Sequence, residues 1–272
     1  MSPPAGTTTT PSEAWSLLGM AGRPETLRPA APAVVATLRE ALEAEGPPAP
    51  GLLDHLGTAA VLPALGALVP EARSRGRRLG VPDPVVVATL ADVGRKVAHY
   101  GDLVEPGWFV GLLRLDVVAV GRLQVERVPG AAGRAVHVPE GAPLTTEAVV
   151  DAVRHADALL GPGPLVCTSW LLDPWVGRAL GPASRIARFA ALFAPDGDDV
   201  AAEPEVDADG WTSGDHAVAR FVFRRPVGDV LAGAGTTGGE RGGTRLQRLA
   251  LERWRHGHHV TEPRGRWRGP VT

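Results

Sequence analysis

The chain has 272 residues, 44% of them hydrophobic, and a formal net charge of −2. That is enough apolar material for a sizeable buried core, which excludes a disordered chain, and too little charge to draw the whole molecule to nucleic acid or to an anionic membrane. One cysteine, Cys167, excludes an intrachain disulfide, and one lysine, Lys96, standing outside any Gly-rich loop, leaves no suitable amine for Schiff-base or P-loop chemistry.

The opening MSPPAGTTTTPSEAW lacks the basic start and apolar run of a secretory signal, so a cytoplasmic protein is expected, with residues 1–14 disordered. Residues 33–44 place Val34, Leu38 and Leu42 four apart, the mark of a helix with one apolar face, and Gly46-Pro47-Pro48 stop it. Residues 52–69 are apolar on most sides and read as a buried helix that Pro63 kinks or divides. The run GTAAVLPALGALVP within it falls short of the ~20 residues that cross a bilayer, and no membrane span is expected. RSRGRR reads as a basic loop, followed by a helix over residues 84–100 with Asp83 as cap and Pro84 in the first turn. Residues 1–105 are thus expected to form a mostly helical N-terminal domain.

From Trp108 the run WFVGLLRLDVVAV is almost continuously apolar; periodicity leaves helix and buried strand open, and helix is preferred. RLQVERV and RAVHVP alternate on either side of a Pro-Gly-Ala-Ala-Gly turn and predict a hairpin. A helix over residues 145–160 follows, ended by Gly161, then LVCTSWLL as a buried strand and a helix opened by Asp173-Pro174. FAALF and ARFVFRR predict further strands, TRLQRLALERWR an amphipathic helix, and the remainder an irregular basic tail. The fold class is therefore α/β over residues 106–272, a mixed sheet with flanking helices.

Two metal motifs are incomplete. Glu205, Asp207, Asp209 and Gly210 imitate the start of a calcium loop, but its twelfth position is His216 where a bidentate Glu is needed, so an acidic solvated turn is the better reading. The HGHH run at 256–259 has no second ligand cluster and reads as a floppy tail. No metal is expected. The arginines Arg245, Arg248, Arg253 and Arg255 of the last helix read as a solvated face, with a phosphate or an acidic acyl carrier protein as the alternative partner.

The turn PEGAPLTT between the second hairpin strand and its helix presents free amides at a positive helix end, which suits either an anion or a plain cap by Thr145 or Thr146. The series DVGRKVAHYG, PGW, VGRLQVER, VHVPEGAPLT, CTSWLLDP, RFVFRRP and TRLQR, spanning residues 92–248, resembles a family of bacterial acyltransferases with a helical N-terminal domain and a GNAT-like C-terminal domain. The resemblance implies transfer of an acyl group from acyl-CoA as co-substrate, or from a carrier-protein thioester, to an amine of a small molecule. It also implies that the donor lies along Val136 and Val138 and at the helix end formed by Gly141, Ala142, Leu144, Thr145 and Thr146. EGAPLTT departs from the superfamily's Gly-rich loop, and Glu140 has the wrong charge to face a diphosphate, so Glu140 is expected to face the acceptor or cap an amide.

Direct transfer needs a base for the attacking amine, an oxyanion site and a proton source for the thiolate. Strand alternation puts Gln124 and Glu126 on one face and His137 opposite Val136 and Val138, so Glu126, His137 and Glu140 are the candidate bases. Ser169 and Asp173 end the following strand, where α/β sites open, with Ser169 a candidate proton source and Tyr100 a second one if the first domain reaches the cleft. Trp170 and Trp175 read as packing residues. The alternatives are a GNAT-like module that binds or senses a CoA ester without chemistry, and a covalent route with Cys167 as nucleophile and His137 as base.

Overall fold

The computed structural model describes residues 9–23, 29–44, 46, 53, 56–196, 205–233 and 243–270. The chain divides into two compact units, Met1–Ala119 and Val120–Thr272.

The first unit holds α1 (Pro11–Leu17), α2 (Pro32–Glu43), α3 (Thr58–Arg78), α4 (Asp83–Leu90), α5 (Asp92–Tyr100) and α6 (Pro106–Arg114). Helix α1 starts inside the stretch expected to be a tail, because Thr10 caps it through Glu13 N and Pro11 stands at its first turn. α3 is the hub: α1, α2, α4 and α6 all pack on it. It runs through Pro63 undivided and absorbs RSRGRR, which is its last turn and a half and not a loop. Arg75, Arg77 and Arg78 suit that position because a helix C-terminus carries negative partial charge. The helix expected over residues 84–100 is two, since Gly94 N donates to Leu18 O at 2.8 Å and leaves its intrahelical partner. A Cβ at Gly94 would stand 2.2 Å from Gly19 O, so only glycine permits this crossing. Asp83 does not cap; Pro82 occupies the cap position and the Asp83 carboxylate takes the Arg73 guanidinium at 3.0 Å. Arg114 is buried, donating to Ala41 O of α2 and to Ala44 O and Gly46 O just beyond its end.

The run expected as helix from Trp108 changes state midway. Leu115 in the left-handed region (φ 57) ends α6, and β1 (Val117–Val120) follows, with Ala119 N held by Thr89 Oγ1 at 2.9 Å.

The second unit holds β2 (Leu123–Glu126), β3 (Arg134–His137), α7 (Thr146–Leu160), β4 (Leu165–Thr168), α8 (Pro174–Leu180), α9 (Arg185–Ala190), β5 (Phe193–Pro195), α10 (Ser213–Val218), α11 (Val227–Gly233), α12 (Arg245–Arg255) and β6 (Arg264–Trp267). The sheet order is β1-β2-β3-β4-β6-β5, with β3 and β4 parallel and the β2–β3, β4–β6 and β5–β6 pairs antiparallel. A parallel pair needs a crossover, and α7 supplies it, packing against β2 and α9.

Four expectations are corrected. SWLL leaves β4 as a 3-10 turn at Trp170–Leu172 because Ser169 Oγ accepts from Leu171 N at 3.2 Å. FAALF contributes only Phe193 to β5; its first residues close α9. ARFVFRR is not a strand but a π-helical turn, Ala219–Phe223, continuing α10 to Arg224 in the left-handed region. Its cause lies upstream, in the Thr212/Asp215 capping box that starts a helix too short to show a period. The irregular tail contains β6, and Gly265 makes it possible, because a Cβ there would meet Leu172 and Phe193 side chains at 2.9 Å. Arg264 and Arg266 turn outward and pair with Asp196 at 2.9 and 3.1 Å.

Candidate active site

The β2–β3 hairpin builds the candidate site. Gln124 faces His137 across the ladder and Val125 faces Val136, so Gln124, Glu126 and His137 share one face while Leu123, Val125 and Val136 are buried on the other. Continuing this register sets Glu126 opposite the small Ala135, and its carboxylate reaches diagonally to His137, Oε1 to Nε2 at 3.4 Å. The pair is accessible, with side chains 33% exposed for His137 and 40% for Glu126. Gln124 is fully buried beside them. The recorded β3–β4 pairs are Arg134↔Leu165 and Ala135↔Val166, so His137 and Thr168 lie past them at the C-terminal ends of two parallel strands.

The segment after β3 is strapped by Arg122, whose Nη1 donates to Pro139 O at 2.6 Å. Val138 and Glu140 are half-buried, while Gly141 (φ 130) and Ala142 are exposed. At the start of α7, Thr145 caps through Ala148 N at 3.2 Å, and Leu144 and Thr146 flank it half-buried. The Glu147 carboxyl is held below the usual range by its own backbone amide, by the Thr145 side chain and, less strongly, by Arg188. Part of this helix end is therefore occupied by the chain's own oxygens, and Arg188 of α9 is the cation beside it.

Ser169 and Asp173 sit past the end of β4, and both are engaged in structure. Ser169 caps the 3-10 turn. Asp173 is buried; one oxygen caps α8 through Trp175 N at 2.7 Å and the other accepts from Thr261 N and Oγ1 at 2.7 and 2.8 Å. Cys167 is buried in β4, and burial, with a smaller contribution from Glu262, pushes its thiol up to about 12. Trp170 is buried and Trp175 stacks under the Arg253 guanidinium at 4.5 Å, as packing residues do.

The chain matches the GNAT-like C-terminal domain family over residues 110–267. It belongs to this acyltransferase family. The N-acyltransferase N-terminal domain matches residues 13–110. Among solved structures, an acyltransferase in complex with decanoyl-CoA and teicoplanin is 25% identical, with a TM-score of 0.62 over 95% of this chain and 79% of that one. An acyltransferase in complex with decanoyl-CoA is 22% identical, with a TM-score of 0.64 over 95% of this chain and 78% of that one, a likeness of fold. No match was found among curated proteins.

Sequence reasoning missed two features of this acyltransferase. Alternation sets Gln124 on the face of Glu126, but nothing in LQVE distinguishes a buried amide from an exposed one. His259, in the run expected to be a floppy tail, instead sets its Nδ1 against the fully buried Asp215 at 2.7 Å. The acidic turn keeps its reading: Asp207 accepts from Asp209 N and Trp211 N and pairs with His216 at 2.6 Å. Among the described residues no group of three His, Cys, Asp or Glu could hold a metal, and no helix is long and apolar enough to cross a membrane. The last helix's arginines are partly spent on the fold: Arg245 on Ala179 O, Arg248 on Gly243 O and Arg253 on His259 O.

Proposed function

We propose that this acyltransferase moves an acyl group from acyl-CoA to an amine of a small molecule by direct attack, with His137 as general base and Glu126 holding the imidazole. The observation that carries this reading is the accessible His137–Glu126 pair at 3.4 Å, at the end of β3 where it runs parallel to β4. Nε2 faces the carboxylate here, so a swing of the imidazole or a water link brings it to the substrate nitrogen.

In the reaction His137 takes the proton of the attacking nitrogen as the C–N bond forms at the thioester carbonyl. The C–S bond then breaks, the thiolate leaves as CoA, and the imidazolium returns the proton to sulfur. Ser169 and Glu140 are further proton-handling candidates near the strand ends. The pantetheine arm would run along the backbone of Val136 and Val138 at the end of β3, with the Val136 side chain buried on the face away from His137. The phosphates would meet the first turn of α7, at Thr145 and Thr146 and the approach through Gly141, Ala142 and Leu144, where Arg188 offsets Glu147. A medium-chain donor and a small-molecule acceptor are supported by the 25% identical acyltransferase crystallised with decanoyl-CoA and teicoplanin. The covalent route through Cys167 has little support, since a buried thiol held at about 12 supplies almost no thiolate at neutral pH.

The test is incubation of the purified chain with acyl-CoAs and a panel of amines, teicoplanin-type glycopeptides included, while free thiol is followed. Acceptor-dependent thiol release supports the reading. No release across the panel, together with no thermal shift by decanoyl-CoA, removes it.

A further inference from the structure

Gln124 is the least explained polar side chain of the site. It is fully buried in β2, and neither its Oε1 nor its Nε2 has a hydrogen-bond partner among the described residues. Exchanging the two atoms changes nothing, because both are unpartnered. Native interiors satisfy nearly all their buried polar atoms, and an apolar residue of the same shape would avoid the desolvation cost. The carboxamide stands directly across from His137, and Glu126 is its neighbour on the same strand face.

We propose that Gln124 is a catalytic residue of the acyl transfer, its Nε2 donating to the thioester carbonyl oxygen as that oxygen becomes the oxyanion. This rests on the acyl-CoA reading above. The three side chains grade from closed to open: Gln124 is fully buried, while His137 is 33% and Glu126 40% exposed. The neutral form of the amine enters from the open end, where the imidazole takes its one departing proton as the C–N bond forms. On this assignment the neutral thioester carbonyl displaces whatever covers Gln124 at the closed end, where a neutral donor stabilises charge only once it develops. As the C–N bond forms, the carbonyl π pair moves onto oxygen and is held by the amide N–H; it returns as the C–S bond breaks and the thiolate departs. Gln124 exchanges no proton, and His137 carries the one from nitrogen to sulfur. A donor held in a water-excluded position costs no reorganisation at the moment of reaction.

The experiment compares Gln124→Leu and Gln124→Glu with wild type, using decanoyl-CoA and an amine that wild type accepts. The leucine variant is expected to lose roughly 10²–10³-fold in kcat with the KM for decanoyl-CoA little changed. Its Tm should equal or exceed that of wild type, because an orphaned amide has been removed from the interior. The glutamate variant loses the N–H donor; ionised it should be no better than leucine, and kept neutral by burial it can donate its O–H and recover part of the rate. A leucine variant with wild-type kcat overturns the proposal while leaving the acyltransferase reading intact. So does a leucine variant whose Tm falls while its kcat does not. In parallel, the ¹³C resonance of carbonyl-labelled decanoyl-CoA should shift on binding wild type and return toward its free position in the leucine variant; identical bound shifts overturn the proposal without needing an acceptor. If wild type binds no thioester, the functional reading fails and this assignment falls with it.

Discussion

Besides the His216–Asp207 pair of the exposed acidic turn, the described residues of the second unit hold two histidine–carboxylate pairs whose differences separate scaffold from candidate chemistry. His137 and Glu126 meet at 3.4 Å with both side chains partly exposed. His259 and Asp215 meet at 2.7 Å with the carboxylate fully buried. Asp215 has three further donors: Thr212 N at 3.1 Å, Trp254 Nε1 at 2.6 Å and Val260 N at 2.8 Å. It therefore ties α10, α12 and the segment before β6 together. A carboxylate so fully satisfied gains nothing from releasing its histidine, whereas the open pair has room for a substrate nitrogen and little to lose by turning toward it. Tight geometry marks the structural pair, and loose geometry marks the candidate catalytic one.

The sharpest way to break this comparison is to remove one histidine at a time. His137→Ala should lower kcat by ~10²–10⁴, the usual contribution of a general base, with Tm nearly unchanged. Glu126→Gln should lower kcat less, since it removes the orienting partner and leaves the base. His259→Ala should leave kcat within a few-fold. Steady-state kinetics on the three variants decides the assignment, and a His259 variant that loses activity while His137→Ala keeps it would reverse the roles.

Next in size is Asp215→Ala. It strips a buried hub of its charge and leaves two backbone amides, an indole N–H and an imidazole without their acceptor, and breaking a buried pair in this way costs about 3–5 kcal/mol. Thermal or urea unfolding should show that loss, while Glu126→Ala, at a 40% exposed side chain, should cost far less. Equal losses would mean that burial and donor count do not distinguish the pairs.

How much of this was legible in the sequence follows from where the deciding information lies. The hairpin and α7 could be read because alternation in LQVE, helical spacing and the Thr145 cap are local signals. The shared face of His137 and Glu126, which makes them candidates, could be read because a period of two, once the hairpin is right, assigns faces without further input. The π-turn at Ala219–Phe223 could not be read as such, since its alternating aromatics imitate a strand and its Phe223 is answered by Trp254, far along the chain, at 5.6 Å. β6 was hidden because its identity comes from strands on both sides and from the tight fit of Gly265. The roles of Asp173 and Asp215 were hidden for the same reason: Thr261 and Val260, their partners, lie 88 and 45 residues away. Carboxylate plus strand end suggested catalysis for Asp173, whereas both of its oxygens are taken by backbone and hydroxyl donors.

Cys167→Ala carries a smaller expected effect and bears on the same contrast, since a buried group without a role in transfer should be silent in kinetics. Activity should persist, no acyl adduct should appear on the wild-type protein by intact mass, and the small loss of buried volume should cost about 1 kcal/mol. The thiol should react with alkylating reagents only when the chain unfolds. An acyl adduct that Cys167→Ala abolishes, together with lost activity, would replace the His137 mechanism by the covalent one.

The smallest effect belongs to Glu262, two residues beyond Val260 in the segment that Asp215 anchors. Burial pushes its carboxyl above the ordinary 4.5, more than the Ser213 side chain, the Trp170 backbone and Arg220 together pull it down. A raised value means that the folded chain holds this proton more tightly than the unfolded chain does. Stability from this group is therefore fully present below 4.5 and falls as pH rises above it, levelling off once the folded-state carboxyl has ionised. Glu262→Gln removes the ionisation and keeps the shape, so its Tm relative to wild type should rise between pH 4.5 and neutrality. Parallel Tm curves for the two proteins across that range would show that Glu262 ionises in the fold as freely as in water.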